Sequence, residues 1–175
     1  SSNFLIAYYH FLILEYYGPC PITDSYIDMD TPNNEYHGRY HFDYVTSWIS
    51  MKLDEAAKDL PASRIGSEWG RATSTIAKAV KAQLLLLAAS PLFNGNSDYI
   101  NVKDNQGRHL FPTQVDNSKW KLAADAALEA INCAKENGHE KLYTFSLPIN
   151  SISAATRKLL DIGEAVNFHL LLSTC

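Results

Sequence analysis

The segment from residue 69 to 96 constrains the fold of this chain more than any other. It contains no glycine or proline over residues 74–89, and Thr73 offers a hydroxyl that can cap the first helical turn. At Ser90-Pro91 the proline ring disfavours helical geometry at the preceding residue and supplies no amide hydrogen. The sequence therefore predicts a helix over residues 74–89 that ends sharply.

Apolar residues recur at helical spacing along this helix and define one wide face. That face comprises Ile76, Ala77, Val80, Leu84, Leu85, Leu87 and Ala88. Lys78, Lys81 and Gln83 lie outside it. Because alanine lets a neighbouring helix axis approach closely, the pattern predicts a helix that packs between other helices.

Two helices are predicted before the central one. Asn3 can cap a helix over residues 4–17, and Gly18 is well placed to end it in a left-handed conformation. Apolar and aromatic residues occupy nearly every face of this helix, so we expect it to be sandwiched within the body of the protein. Residues 42–60 carry apolar side chains on one face and stop before Pro61, which indicates a second, amphipathic helix.

A long loop and a fourth helix follow the central segment. Within residues 91–117, two short apolar stretches flank residues 104–107, which favours a small irregular β-hairpin. The candidate N-caps of the next helix are Asp116, Asn117 and Ser118, and the helix ends at Gly138. Its predicted buried face comprises Trp120, Ala123, Ala124, Ala127, Ala130, Ile131 and Ala134.

Composition narrows the class of protein. The 175 residues are 46% hydrophobic, which is enough for one ordinary domain with its own core. A net charge of −4 without a Lys/Arg stripe argues against a nucleic-acid partner. The longest apolar runs, residues 4–14 and 82–89, are shorter than the roughly 20 residues of a membrane-spanning helix. We therefore expect the chain to be soluble. Because the sequence has no initiator methionine and no signal segment, we interpret it as a fragment of a longer protein.

The cysteine and histidine spacings indicate no cofactor. Cys20, Cys133 and Cys175 are an odd number without CxxC spacing, which indicates neither a disulfide framework nor a zinc module. A Cys20–Cys133 bridge is conceivable in an exported protein, but lone cysteines are usually small buried hydrophobes. His37 and His41 have the spacing of two helical metal ligands, but a glycine lies between them and no catalytic glutamate accompanies them. We expect no metal and no other cofactor.

Several motifs share a pattern with a known family. They are Gly70-Arg71-Ala72-Thr73, the Ala/Lys run that continues to Leu87, Ala88-Ala89-Ser90-Pro91-Leu92-Phe93-Asn94, Tyr17-Gly18-Pro19-Cys20-Pro21-Ile22, and Leu53-Asp54-Glu55-Ala56-Ala57 followed by Leu60-Pro61. In these motifs the chain resembles the SusD/RagB family of surface lipoproteins, which capture glycans or other nutrients for a TonB-dependent outer-membrane transporter. The resemblance covers residues 4–143. Ile6 departs from it, because relatives commonly carry arginine there.

Helix pairs separated by long loops favour an all-α fold with a helical-repeat body. The resemblance implies that residues 1–145 form this tetratricopeptide-like body, a partial domain. Residues 146–175 are unassigned, with one helix that begins at Ser153 or Thr156 and runs to Leu172. The implied function is non-catalytic glycan or nutrient binding at the outer membrane and cell surface. The implied partner is a SusC-like transporter, and the implied membrane attachment is a lipid anchor that this sequence does not include.

Aromatic side chains in the loops are the candidate ligand contacts. A flat ring can cover the apolar C–H face of a sugar while Asn, Asp or Arg groups bind its hydroxyls. The candidates are Tyr26, Tyr36, Trp69, Phe93 and Tyr99.

Two other functions stay open. An intracellular helical-repeat adaptor would bind a peptide along an exposed groove, and an upstream lipoprotein signal would exclude it. A helical glycan-cleaving enzyme would need two carboxyl groups about 5 to 10 Å apart across a sugar. The available acids, Glu15, Asp54, Glu55, Asp125 and Glu129, fall mostly on solvated helix faces, so we expect no catalysis and no catalytic residue.

Overall fold

The computed structural model of the chain describes residues 2–32 and 37–138, which contain four α-helices. α1 spans Ser2–Tyr17, α2 spans Phe42–Asp59, α3 spans Ser74–Ala89 and α4 spans Ser118–Glu136. The bounds agree with the predicted ones to within two residues, and the described part of the chain contains no strand. The all-α prediction is confirmed at this level. None of the helices in this part is both long and apolar enough to cross a bilayer.

The helices pack in chain order. α1 lies against α2, α2 against α3, and α3 against α4. α3 therefore lies between two other helices, as its alanine-rich face predicts, and its Ala77 and Ala88 are buried. The predicted cap is also present, because the hydroxyl of Thr73 accepts a hydrogen bond from the amide of Ile76 at 3.4 Å.

The core combines helix residues with aromatic residues from the loops. Its largest fully buried side chains are Leu14, Phe42, Val45, Ile49, Leu53 and Leu84. Phe42 stacks on Phe93 with ring centroids 4.5 Å apart, and on Phe111 at 5.8 Å. This aromatic stack holds the long loop after α3 against the start of α2.

The prediction that α1 is sandwiched on all sides is not confirmed within the described residues. The helix buries one face against α2, formed by Phe4, Ala7, His10, Phe11 and Leu14. Leu5, Tyr9, Ile13 and Tyr16 follow one another at helical spacing on the other side and are exposed. An apolar stripe therefore lies open along α1.

The predicted buried face of α4 is partly wrong. The buried residues are Ala123, Ala126 and Cys133, whereas Trp120 and Ile131 are 45% and 51% exposed. The physical reason is that α4 packs its stripe of small residues on α3 and meets α2 through the ion pair of Lys119 with Asp43, so its larger apolar residues are left uncovered by the described part of the chain. A second open apolar stripe results.

The predicted β-hairpin is reduced to one antiparallel bridge between Lys103 and His109. Gly107 adopts a φ of 80°, which a turn of this kind requires and which glycine tolerates best. The loop is further tied by a hydrogen bond from the amide of Leu110 to the carbonyl of Val102 at 3.0 Å.

The conceivable Cys20–Cys133 bridge is not formed, because both cysteines are free and buried in different places. Cys20 belongs to the core, whereas Cys133 lies on α4 beside Thr75 of α3. Both are small buried hydrophobes, as expected of lone cysteines. Cys175, the boundary near residue 145 and the helix predicted from Ser153 or Thr156 lie outside the described residues.

Candidate ligand-binding site

Three loop segments meet beside the N-terminus of α2. The amide of Tyr40 donates to the carbonyl of Cys20 at 3.2 Å, and the amide of Phe42 donates to the carbonyl of Leu110 at 2.8 Å. His10 holds the first of these segments against α1, because its Nε2 accepts from the amide of Thr23 at 3.1 Å. The backbone thus places residues 37–41 next to the turn at residues 103–110.

A cleft separates these two segments. It consists of two adjoining hollows of about 560 and 400 Å3, and both are lined by Arg39, Asp104, Arg108 and Leu110. We call it the Arg39 cleft, after the charged residue of the 37–41 segment that lines both hollows. This volume is within the usual range for a small-ligand site.

One wall of the Arg39 cleft carries aromatic rings. Tyr40 and Tyr44 have ring centroids 5.3 Å apart, and His37 lies 6.4 Å from Tyr40. Tyr44 stands on the first turn of α2 and is 56% exposed. An exposed ring held by a helix can stack on a flat or apolar ligand surface at little entropic cost.

The charge of the cleft is opposite in sign to that of the whole chain. Among the described residues, Arg39, Lys103 and Arg108 line it together with a single carboxylate, Asp104. Asp104 is already paired, since its Oδ2 accepts from Nε of Arg108 at 2.6 Å. Arg39 and Lys103 form no ion pair with another described residue. The described lining, with three cations and one carboxylate, therefore has an excess of two positive charges.

Asp104 organises the turn that forms the other wall. Its Oδ1 accepts from the amides of Gln106 and Arg108 at 2.8 and 2.9 Å. The backbone amide of Arg108 and then its guanidinium lower the pKa of Asp104. The carboxylate is therefore charged at neutral pH and fixes the turn rather than titrating.

A third hollow of about 410 Å3 adjoins the cleft through His37. It is lined by residues 22–28, and among them Tyr26 is 84% exposed. Asp24, Ser25 and Asp28, which carry hydrogen-bonding groups, line the same hollow. The loop surface thus offers a second exposed tyrosine next to hydrogen-bonding groups.

The five predicted ligand contacts separate into distinct environments. Tyr26 lines the third hollow, while Trp69 is 82% exposed on the loop before α3 and lines none of the hollows described here. Phe93 is 6% exposed, and its ring centroid lies 6.2 Å from that of Tyr99. Both rings therefore belong to the aromatic stack of the core. Phe93 presents no free ring face to a ligand in this structure, because Phe42 and Phe111 stack on it. Tyr36 lies outside the described residues.

Sequence reasoning did not select Arg39, Tyr40, Tyr44 or Arg108. Tyr44 is within a helix, and only its position in the first turn could have indicated that it faces the loops. Arg39 and Arg108 are 69 residues apart in the sequence and meet through backbone hydrogen bonds that no local pattern reveals.

A different hollow of about 620 Å3 lies between α2, α3 and α4. Its acids are paired with lysines: Asp54 binds Lys81 at 2.7 Å, and Glu129 binds Lys78 at 3.0 Å. Asp125 is likewise bound by Lys121 at 2.9 Å. The first two of these ion pairs link α2 to α3 and α3 to α4, whereas the third lies within α4.

No group of three metal-binding side chains comes together in residues 2–32 and 37–138. His41 instead caps α2, because its Nδ1 accepts from the amide of Asp43 at 3.2 Å. His37 lies in the loop before it, so the two histidines do not share a helix face.

Comparison with known proteins gives a match to solved structures only. No protein-family model matches the sequence, and no curated protein matches it. A solved structure of BT4246 is 56% identical, with a TM-score of 0.76, and a selenomethionine form of BT4246 is 53% identical, with a TM-score of 0.72. Each match covers 81% of this chain and 24% of BT4246, so the chain spans about a quarter of that protein's length. The four-helix arrangement is therefore one that part of BT4246 shares.

Proposed function

We propose that this chain is the helical part of a SusD/RagB-type protein, a non-catalytic component that binds a glycan or another nutrient for a TonB-dependent outer-membrane transporter. The observation that carries the proposal is the resemblance of residues 88–94 to the family signature. In the fold these residues end α3, bury Phe93 and place the side chain of Asn94 against Asp116. A motif with such a structural role supports a shared scaffold.

The ligand-binding part of the proposal rests on the Arg39 cleft. A sugar offers an apolar C–H face and a set of hydroxyls. The cleft offers an exposed Tyr44 ring with Arg39 in one hollow, and Asn105 and Gln106 in the adjoining one. Tyr26 provides a second ring in the adjoining hollow. The two rings together suit a ligand that is longer than one sugar unit.

We also propose that the four helices belong to a longer helical-repeat body. The apolar stripe of α4, with Trp120 and Ile131, is the surface that the next helix of a repeat would cover. A match to a quarter of a longer protein is consistent with such a continuation. Hydroxyl-radical footprinting of the complete protein tests this: Trp120 is expected to react less than the exposed Tyr44.

Glycan-array binding with the complete protein, followed by product analysis, tests the proposed function. We expect saturable binding of at least one glycan and no cleavage of it. Tyr44→Ala is expected to weaken that binding roughly two- to tenfold, since stacking on an aromatic ring contributes about 0.5–1.5 kcal/mol. Tyr9→Ala, an exposed tyrosine on α1 away from the cleft, is the matched control and is expected to bind normally.

One observation favours a peptide-binding adaptor as the second candidate. The hollow between α2 and α4 exposes Met51 and Leu122, which are 47% and 55% exposed. Flexible and aliphatic side chains in a groove are suited to a peptide. Two results together would replace the first proposal by this one. The complete protein would bind no glycan of the array, and it would bind a peptide that the Leu122→Asp variant does not bind.

A further inference from the structure

We infer that the Arg39 cleft binds a negatively charged substituent, a carboxylate or a sulfate, on the sugar that stacks on Tyr44. This inference rests on the proposed function and names the ligand class of the same site. It is carried by the excess of positive charge in the cleft, by the geometry of the turn that opposes Arg39, and by the neighbouring tyrosine.

The cations of the cleft differ in their availability. Arg108 is already paired with Asp104, with its Nε 2.6 Å from Oδ2, and this ion pair stabilises the turn. Arg39 and Lys103 stand on opposite segments of the same hollow and pair with no described carboxylate. An anionic group that enters the hollow would meet two cationic side chains from two sides, which is the arrangement of a charge-assisted hydrogen-bonding site.

The remaining charges of the molecule make this cleft distinctive. The chain carries a net charge of −4, and the hollow between α2 and α4 is lined by four carboxylates and two lysines. The carboxylates of that hollow are already paired with lysines, whereas two cations of the Arg39 cleft pair with no described carboxylate, so a ligand with an acidic group is attracted to the Arg39 cleft. Guanidinium groups also match the planar oxygens of carboxylates and sulfates better than ammonium groups do. Arg39 is therefore the expected principal contact and Lys103 the secondary one.

Tyr44 supplies the neutral half of the recognition. Its exposed ring lies on the α2 side of the hollow that Arg39 lines, so stacking and ion pairing can act on one sugar unit. The two contributions are separable. Removal of the Tyr44 ring is expected to weaken the binding of every glycan at this site, whereas removal of the Arg39 charge is expected to weaken the binding of acidic glycans only.

The test measures binding by calorimetry with the complete protein. The probes are oligogalacturonate and its carboxyl-reduced form, and chondroitin sulfate oligosaccharides and their desulfated form. We expect at least tenfold tighter binding of one acidic probe than of its neutral partner, and a loss of this preference in Arg39→Gln. Arg71→Gln removes the same charge from an exposed site outside the cleft and is expected to keep the preference. Raising the NaCl concentration from 50 to 500 mM is expected to weaken the binding of the acidic probe and to leave the binding of its neutral partner unchanged.

The outcomes separate this inference from the proposed function. Binding of the neutral forms at equal strength, with no effect of Arg39→Gln, would overturn the inference and leave nutrient capture in place. Preference for the carboxylate pair alone, or for the sulfate pair alone, assigns the anionic group. Absence of all glycan binding, by the four probes and by the array, overturns both.

Discussion

The side-chain amide of Asn94 forms two hydrogen bonds with the backbone of Asp116. It donates to the carbonyl oxygen at 2.9 Å and accepts from the amide at 3.0 Å. Asn94 is 3% exposed, and Asp116 lies two residues before α4. One buried side chain therefore joins the end of α3 to the start of α4 and closes the long loop between them.

Replacing this amide is expected to destabilise the fold. Asn94→Ala removes both hydrogen bonds of a buried side chain, while the backbone of the exposed Asp116 can turn to water, so the expected cost is the net contribution of two hydrogen bonds, about 1–3 kcal/mol. Urea denaturation followed by circular dichroism measures the free energy of unfolding. Asn101→Ala, at an exposed asparagine, is the control and is expected to change it by less than about 0.5 kcal/mol. Equal stability of the two variants would show that the Asn94 bonds contribute nothing net.

Gly95 is expected to be intolerant of any side chain. It has a φ of 73°, and a Cβ there would lie 2.5 Å from the backbone nitrogen of Val115. Gly95→Ala therefore combines a left-handed conformation with a backbone clash and is expected to cost more than about 2 kcal/mol. Gly70→Ala is the matched control, because Gly70 has a φ of 87° but no atom within 4 Å of such a Cβ. Thermal melts that show equal losses would contradict the role assigned to the clash.

The helices were predictable because their signals are local. The uninterrupted run before Pro91, the hydroxyl of Thr73 and the glycine after α1 each act within one helical turn. The buried face of α4 was less predictable, because it depends on how many neighbours the helix has. Trp120 and Ile131 have the correct spacing for burial and still lie half exposed. Periodicity identifies an apolar face but does not say what covers it.

The site was less predictable than the fold. Position in a loop predicts an accessible ring, yet Phe93 stacks within the core, with its ring centroid 4.5 Å from that of Phe42. The sequence pattern assigns Tyr44 to a helix, although the residue lines a hollow together with the loops. Whether a ring is buried depends on contacts between segments distant in sequence, here residues 42, 93 and 111. Such contacts leave no pattern in the chain.

Phe93 and Trp69 provide a direct test of the difference between a buried and an exposed aromatic ring in a loop. Phe93→Ala is expected to lower the free energy of unfolding by about 3–5 kcal/mol, because it empties the centre of the aromatic stack. Trp69→Ala is expected to change it by less than about 0.5 kcal/mol, because that ring is 82% exposed. Chemical denaturation of both variants under the same conditions gives the comparison. A small effect of Phe93→Ala would mean that the stack repacks around the void.

The ion pair between Asp54 of α2 and Lys81 of α3 is expected to contribute modestly. Nζ of Lys81 lies 2.8 and 2.7 Å from the two carboxylate oxygens, but Asp54 is 44% exposed and the pair is partly screened by water. A double-mutant cycle with Asp54→Asn and Lys81→Met is expected to give a coupling energy of about 0.5–1 kcal/mol. The coupling is expected to decrease in 1 M NaCl. Zero coupling at low salt would contradict a role of this pair in joining α2 to α3.

The turn beside the Arg39 cleft is expected to lose support in acid. Hydrogen bonds from the amide and guanidinium of Arg108 lower the pKa of Asp104 below its ordinary value of 3.8. A carboxylate with a depressed pKa stabilises the folded state above its unfolded pKa, and this contribution is lost as pH falls through the folded pKa. The amide resonance of Arg108, followed by NMR from pH 7 to pH 2, is therefore expected to shift with a midpoint below 3.8. In Asp104→Asn this transition is expected to be absent, and its persistence would assign the titration to another group.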